Sequence, residues 1–300
     1  MYERKKPAAS GRKNIILNAL IVLCVATMIV CGIQITRSLI EYKKAKDKNE
    51  EITDIMSGLF DETDNVNPTQ TTATVTNATT ETSETTDTAV TETAKPEPIP
   101  REQYREIYTQ LRSLKEQYPE LFGWIRIQFD EKHVINLPVM QSDDNNYYIS
   151  HAYDGSESMA GAIFADYRNT DRRIDLNQNL IMYGHHMNDG SMFAYVASQY
   201  KTREKFDSAD IVFYSMDGVY TFNVFAVYNA KAGEDFDRIG FAGESLKEYC
   251  LTKQRRSFYS KKLTFDDVET IVTLVTCTNF GSDGRVIVHG VFDSYDPFFD

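Results

Sequence analysis

Cys277 and Arg285 lie at the two ends of a short connection between predicted strands. Cys277 ends the apolar run Ile271-Val-Thr-Leu-Val-Thr-Cys277, and Arg285 opens the run Arg285-Val-Ile-Val-His-Gly-Val-Phe292. The turn-forming residues between them predict neighbouring strands, with the thiol and the guanidinium at the same end of a sheet. A nearby cation favours the thiolate, which makes Cys277 a candidate nucleophile. A free cysteine is also commonly a small buried strand residue, so these residues alone leave catalysis and packing open.

A nucleophilic cysteine also needs a group that transfers protons, and the chain has five histidines. His185 and His186 follow an apolar strand and precede a loop, the kind of position where functional side chains are common. One of the pair points inward and the other outward, because strand side chains alternate. His289 lies within a predicted strand and is expected in the barrel packing, whereas His133 and His151 are expected in surface loops. Adjacent histidines have poor geometry for zinc, so no metal or other cofactor is expected.

Eight apolar or β-branched segments predict a mainly β domain. They lie at residues 122–127, 135–141, 161–166, 179–186, 211–216, 219–230, 269–278 and 285–293. Apolar side chains recur at helical spacing over residues 101–118, before Pro119, and a surface helix is predicted within 241–258, between the sixth and seventh strands. Eight strands with few helices favour a closed or nearly closed barrel.

Residues 15–35 form an apolar stretch long enough to cross the roughly 30 Å hydrocarbon layer of a membrane as one helix. Basic residues within 1–14 precede it, which predicts a cytoplasmic N-terminus and an extracellular remainder. The alternative is a cleaved signal peptide, whose apolar region would span only about 7–15 residues and end at a small-x-small site. No such site is evident after Ile35, so a single-pass signal anchor is predicted.

Two segments separate the predicted anchor from the predicted catalytic domain at residues 101–300. Residues 36–60 are charged, with apolar residues at intervals that suit a juxtamembrane helix. Residues 61–100 are rich in Thr, Glu, Asp, Ala and Pro, which predicts a disordered tether that extends the reach of the domain above the membrane. The net charge of −12, without a basic stripe, excludes nucleic acid as a partner.

Several motifs of the β domain resemble those of sortases. Tyr183-Gly-His185-His-Met187, Thr273-Leu-Val-Thr-Cys277 and Arg285-Val-Ile-Val-His-Gly290 carry His, Cys and Arg in the order of that family. The segments at 122–127, 137–141, 145–149 and 161–166 are similar to class B members in particular. The resemblance covers about residues 101–293. It implies an eight-stranded sortase-type β-barrel, with an N-terminal helix and a helix between strands 6 and 7.

The resemblance implies a cysteine transpeptidase of Gram-positive cell surfaces. Cys277 would attack the carbonyl after Thr in a C-terminal sorting signal of the Asn-Pro-x-Thr or Leu-Pro-x-Thr type on a secreted protein. The thioacyl intermediate would then pass to the amine of a cell-wall precursor peptide. His185 would transfer protons, and Arg285 would hold the substrate backbone and stabilise the oxyanion. His185 is preferred to His186 because the family's histidine directly follows the glycine.

The same resemblance places Tyr183, Thr276, Asn145 and Ile149 in the peptide groove. Alternation along the strand puts Tyr183 on the same side as His185. Asn279 stands where some relatives carry an acid, which weakens any role for a carboxylate there in orienting the histidine. Two alternatives stay open: a pilin-polymerising sortase with a lysine acceptor, and a non-enzymatic anchored binding domain in which the cysteine is structural.

Overall fold

The computed structural model describes residues 10–64, 101–241, 245–277 and 283–299, with side chains described at 17–60 and at the later positions except Cys277. Eight strands close into one barrel in the order β1-β2-β3-β4-β7-β8-β6-β5. The strands are β1 Leu121–Gln128, β2 Val134–Met140, β3 Ile163–Ala165, β4 Asn179–Tyr183, β5 Ile211–Tyr214, β6 Gly218–Lys231, β7 Ile271–Cys277 and β8 Gly284–Pro297. The predicted eight-stranded barrel is therefore confirmed.

Two of the eight strand pairs are parallel, β2 with β3 and β4 with β7, and the others are antiparallel. Alternate side chains of these strands fill the barrel interior, among them Ile125, Leu180, Met182, Leu274 and Val288, each fully buried. The residues between them, such as Ile181, are buried in a separate cluster with the helix Leu246–Arg256, so both faces of these strands are covered and the strands read as apolar runs.

In the described ranges, four α-helices pack on the barrel in addition to a long N-terminal helix. They are α2 Arg101–Gln117, α3 Ala194–Gln199, α4 Arg203–Ser208 and α5 Leu246–Arg256. The helix before β1 and the helix between β6 and β7 agree with the predictions. The sequence did not indicate α3 and α4, because six residues are too few to show a 3.6-residue period. Strand β4 ends three residues before the predicted boundary, since the chain leaves the strand at Gly184.

The N-terminal helix α1 runs without a break from Ser10 to Asp64. Its first half exposes apolar side chains and is long and apolar enough to cross a membrane. Its second half packs on the barrel, burying Ala45, Ile52, Met56 and Phe60. Removing these side chains from water stabilises the contact by roughly 1.5–3 kcal/mol for each large residue. The helix therefore joins the predicted span directly to the barrel.

Polar contacts fix α1 at three levels along the barrel. Near its middle, the Lys48 ammonium contacts the carboxylate of Asp154 and the hydroxyl of Ser156. Further along, the Thr53 hydroxyl donates to the carbonyl of Asn136 at 3.1 Å. At the end of the helix, the Gln103 side chain donates to the Leu59 carbonyl, which joins α1 to α2.

The Asn136 side chain connects the α1 contact to the single tryptophan of the chain. Its amide nitrogen donates to the Ser57 hydroxyl on α1 at 3.3 Å, and its oxygen accepts from the Trp124 indole at 2.7 Å. Trp124 is buried, so its fluorescence should change if α1 separates from the barrel.

The predicted tether begins within α1, whose last residues are 61–64, and its remaining residues, 65–100, lie outside the described part of the chain.

Candidate active site

The ends of three neighbouring strands meet at one edge of the barrel. Strands β4 and β7 are parallel and adjacent, with Tyr183 level with Val275, so both end at this edge. Strand β8 runs antiparallel to β7 and starts there, with Arg285 paired to Cys277. The backbone thus brings the predicted His, Cys and Arg positions side by side, although they are up to about a hundred residues apart in the chain.

Gly184 sets the course of the chain between β4 and His185. Its N–H donates to the Val275 carbonyl at 3.1 Å, which extends the β4–β7 pairing by one residue. A Cβ at this position would lie 2.8 Å from the Phe193 ring, so a larger residue would push that ring away. On the other side, the Phe193 N–H donates to the His185 carbonyl at 2.9 Å. The backbone that carries the histidine is therefore held from both directions.

The half-buried imidazole of His185 forms a hydrogen bond that selects between its two nitrogens. Nε2 lies 2.8 Å from the backbone carbonyl oxygen of Ile149. A carbonyl oxygen only accepts, so Nε2 carries the proton in this bond. Nδ1 is consequently the nitrogen that this bond leaves available for proton transfer to or from a substrate. The neighbouring His186 forms a backbone bridge with Met192 and is also half-buried.

Arg285 is the second residue of β8 and is half-buried. One of its guanidinium nitrogens, Nη1, donates to the Gly284 carbonyl at 2.9 Å. The guanidinium remains charged at any working pH. Its place in the strand beside Cys277 puts a permanent cation next to the backbone of the predicted nucleophile. Asn279, the departure from the family pattern, lies outside the described residues.

The four predicted groove residues are distributed around the same edge. Ile149 ends a short 3₁₀ helix, Tyr147–Ile149, and 44% of its side chain is exposed. Thr276 precedes Cys277 and is buried, and its hydroxyl has no hydrogen-bond partner within the described part of the chain. Tyr183 stacks on Phe164 with ring centroids 5.2 Å apart. Ile149 is thus the groove residue that contacts the histidine directly.

Asn145 and Tyr183 share a partner that the sequence did not reveal, the buried carboxylate of Asp166. Asn145 Nδ2 donates to Asp166 Oδ2 at 2.9 Å, and the Tyr183 hydroxyl donates to the same oxygen at 3.0 Å. Arg168 binds both carboxylate oxygens, each at 2.7 Å. Burial opposes ionisation, but these hydrogen bonds outweigh it and hold the pKa of Asp166 below its usual value. The only signal in the sequence was an acid as the last residue of the predicted strand 161–166.

His289 lies away from this edge and is fully buried in the barrel wall, as predicted. Its Nδ1 is 2.8 Å from the Thr273 hydroxyl, and its Nε2 is 2.9 Å from the Tyr228 hydroxyl. Burial, with a smaller effect from the nearby Lys253 cation, lowers the pKa of His289 to about 3. A ring that stays neutral at physiological pH and is enclosed in this way serves packing rather than proton transfer.

Comparison with known proteins agrees with this geometry. The family model described as Sortase domain matches residues 134–293, more than half of the chain. Sortase B of Listeria monocytogenes is 33% identical over 190 residues, which cover 62% of this chain and 74% of the relative. The crystal structure of Clostridium perfringens sortase B is 26% identical, with a TM-score of 0.54, and the match covers 61% of this chain and 99% of that one.

A structure of Staphylococcus aureus sortase B with substrate is 21% identical and has a TM-score of 0.61, over 85% of this chain and 99% of that one. At this identity the likeness supports the fold alone, and the fold it supports is the closed eight-stranded barrel described above. The family match and the relative at 33% identity carry the assignment further. The chain belongs to the sortase family of cysteine transpeptidases and is similar to class B.

Proposed function

We propose that this class B sortase is a single-pass membrane enzyme that cleaves a C-terminal sorting signal after Thr and joins the cleaved protein to a cell-wall precursor amine. The observation that carries the proposal is the strand register, which pairs Arg285 with Cys277 and ends β4 at Tyr183 beside Val275, two residues before His185. The family assignment supplies the reaction class. The roles of individual residues follow from their chemistry at this edge.

In the first half-reaction, the Cys277 thiolate attacks the carbonyl carbon of the Thr residue in the signal. A C–S bond forms, and the carbonyl oxygen becomes an oxyanion that the Arg285 guanidinium stabilises. The His185 imidazolium then donates a proton from Nδ1 to the leaving amine as the C–N bond breaks. The products are a thioester on Cys277, a neutral His185 and the released C-terminal fragment.

In the second half-reaction, an amine attacks the thioester carbonyl. Nδ1 of His185 accepts the proton that the amine loses, the C–S bond breaks, and the thiolate of Cys277 leaves. The new amide joins the surface protein to its acceptor, and the enzyme returns to its starting protonation state. The Nε2 bond to the Ile149 carbonyl keeps the ring oriented throughout, because Nε2 does not need to exchange its proton.

The predicted groove residues bind the signal beside this centre. Ile149 offers an exposed apolar side chain, and Tyr183 and Asn145 border the same edge through their shared contact with Asp166. The buried Thr276 hydroxyl is a hydrogen-bonding group adjacent to the nucleophile in the chain. With residues 15–35 in the membrane and the basic N-terminus in the cytoplasm, the barrel works on the outer surface.

The test uses the full chain in detergent micelles, because α1 is packed on the barrel. Quenched peptides carrying Asn-Pro-x-Thr and Leu-Pro-x-Thr signals are incubated with the wild type and with Cys277→Ala, His185→Ala, His186→Ala and Arg285→Ala. Cys250→Ala, at a buried cysteine on α5, is the matched control. We expect Cys277→Ala to abolish cleavage, His185→Ala to slow it by about 10²–10⁴ and Arg285→Ala by about 10²–10³, with Cys250→Ala retaining activity.

Cleavage that survives Cys277→Ala would refute the mechanism. Loss of turnover in His186→Ala, with full activity in His185→Ala, would move the proton-transfer role to the other histidine. Adding a peptide amine should accelerate release of the product, since transfer competes with hydrolysis of the thioester. A lysine on a second protein that is a better acceptor than the peptide amine would identify a pilin-polymerising enzyme instead.

A further inference from the structure

Asp166 is a fully buried carboxylate whose two oxygens accept five hydrogen bonds. Oδ1 accepts from Arg168 Nε at 2.7 Å and from the Arg168 backbone N–H at 3.0 Å. Oδ2 accepts from Arg168 Nη2 at 2.7 Å, from Asn145 Nδ2 at 2.9 Å and from the Tyr183 hydroxyl at 3.0 Å. The side chain has no exposed surface, so it does not touch a peptide in the groove. Its influence on the reaction must pass through these partners.

The partners of Asp166 come from different segments that border the candidate site. Asn145 precedes the 3₁₀ helix that ends at Ile149, whose carbonyl holds the His185 ring. Tyr183 is the last residue of β4, two positions before that histidine. A single carboxylate oxygen therefore links both segments that place His185.

Arg168 extends the same group of contacts to a third segment. Its Nη2 donates to the backbone carbonyl of Asp237 at 3.1 Å, and the Asp237 carboxylate lies 3.9 Å from it. Asp237 lies between β6 and α5, about 70 residues after Asp166 in the sequence. Forked contacts between a guanidinium and a carboxylate are directional, so this pair also fixes orientation.

A charge without solvent contact must be nearly fully compensated by hydrogen bonds or opposite charges, because an uncompensated buried charge strongly destabilises the fold. Five donors provide that compensation here, and two of them are the side chains of the predicted groove residues Asn145 and Tyr183. Burial and the neighbouring Asp166 charge also raise the pKa of Tyr183, so its hydroxyl stays protonated and remains a donor. The polar ends of both side chains are therefore held on the carboxylate. This contact fixes how each side chain is oriented relative to the groove.

We propose that Asp166 is a positioning residue for the sorting signal: it holds Asn145 and Tyr183 in the orientation that lines the peptide groove. This inference rests on the proposed function, because it takes those two residues as groove residues. A carboxylate that only stabilises the fold would contribute to unfolding free energy but not to the affinity for peptide. The two roles therefore differ in their kinetic signature.

The test compares Asp166→Asn with wild-type full chain in detergent micelles, using the peptide cleaved best by the wild type. Asn keeps the size of the side chain but loses its charge and one acceptor. We expect KM to rise about tenfold with kcat changed by less than about threefold, as when binding is lost equally from the ground and transition states. Alkylation of Cys277 by iodoacetamide should keep its wild-type rate, because that reaction does not use the groove.

A double variant tests whether the effect of Asp166→Asn on KM is transmitted through Asn145 and Tyr183. In the double variant Asn145→Ala/Tyr183→Phe, adding Asp166→Asn should change KM by less than about twofold, because effects that act through the same groups are not additive. Asp207→Asn is the matched control: it removes an exposed carboxylate that pairs with Arg203 on α4, and we expect wild-type kinetics. If Asp166→Asn does not fold, Arg168→Lys keeps the cation but loses the fork, and KM should rise about threefold.

Three results would each overturn the proposal while leaving the proposed function intact. The first is a wild-type KM in folded Asp166→Asn or, where that variant does not fold, in Arg168→Lys. The second is a fall in kcat and in the alkylation rate with KM unchanged. The third is a tenfold KM effect that persists in the double background. Failure of the proposed function is distinct, since it would appear as cleavage by Cys277→Ala or as no cleavage by the wild type.

Discussion

The buried His289 makes a quantitative prediction about stability at mildly acidic pH. The Thr273 hydroxyl donates its proton to Asn179 Oδ1 at 2.7 Å, so it must accept from Nδ1 of the histidine. Nε2 is then the unprotonated nitrogen and accepts from the Tyr228 hydroxyl. The surrounding bonds therefore specify one neutral tautomer. A second proton would place a charge in a fully buried site near the Lys253 cation.

The size of the effect follows from the difference in pKa between the folded and unfolded chain. The pKa of His289 is about 3 when folded, against an ordinary value of 6.5. As pH falls below the ordinary value, the unfolded chain takes up a proton that the folded chain does not, so stability falls with pH. Between about pH 7.5 and about pH 5, this one group should cost about 2 kcal/mol of unfolding free energy.

The assay is guanidinium unfolding of the full chain in non-ionic detergent, followed by the fluorescence of Trp124, the only tryptophan. His289→Gln should lose about 2 kcal/mol less than the wild type between the two pH values, whatever its stability at neutral pH. Tyr228→Phe is the control, since it keeps the buried imidazole and removes one bond to it. It should lower stability at neutral pH by about 1–3 kcal/mol but keep the steep pH dependence. Equal pH dependence in the wild type and His289→Gln would refute the reasoning.

Two further predictions concern α1 and the second cysteine of the barrel domain. Met56 has no exposed surface, so Met56→Ala should lower the unfolding free energy by about 2–5 kcal/mol and expose the second half of α1 to trypsin. Ile55→Ala, at a residue that is 40% exposed, is the control and should do neither. Wild-type resistance to trypsin in Met56→Ala would contradict the packing of α1 on the barrel. Burial raises the pKa of Cys250 to about 12, so at about pH 8 only about one thiol in 10⁴ is ionised. Peptide mass mapping after iodoacetamide treatment should therefore find Cys277 labelled and Cys250 unlabelled until denaturant is added, and rapid native labelling of Cys250 would show that its site is open.

The barrel could be predicted from the sequence because its strands are apolar and β-branched runs bounded by turn-forming residues. In β4, Leu180 and Met182 face the interior, and Ile181 between them is also buried, in a cluster with α5. The six-residue helices α3 and α4 are too short to show a 3.6-residue period. The packing of α1 on the barrel could not be predicted either, because the apolar residues of 36–60 predict an amphipathic helix but not the surface against which it packs.

Part of the candidate site could likewise be predicted from the sequence, and part could not. The order of His185, Cys277 and Arg285 was visible in the sequence because their motifs resemble those of sortases, although the end of β4 was predicted three residues too late. Asp166 could not be recognised as a functional residue, since an acid at the end of a strand is common and its partners Asn145 and Tyr183 come together with it only in the folded barrel. The family resemblance therefore pointed to the proposed reacting groups, whereas the proposed positioning residue was visible only in the tertiary structure.

In the proposed membrane-anchored enzyme, the contact between Gln103 and Leu59 bears on the height of the site above the membrane. It brings together the two chain segments that flank residues 61–100, so the length of that segment does not separate the barrel from the bilayer. Instead, the continuous helix α1 does so, and Ala45, the first buried residue after the span, is ten residues beyond Ile35, or about 15 Å along the axis. Each residue inserted between them would raise the barrel by about 1.5 Å and turn it by about 100° about the helix axis. With residues 15–35 in the bilayer, the number of helical residues between the span and the barrel thus sets the direction in which the groove faces. A sorting signal must reach the groove from that side.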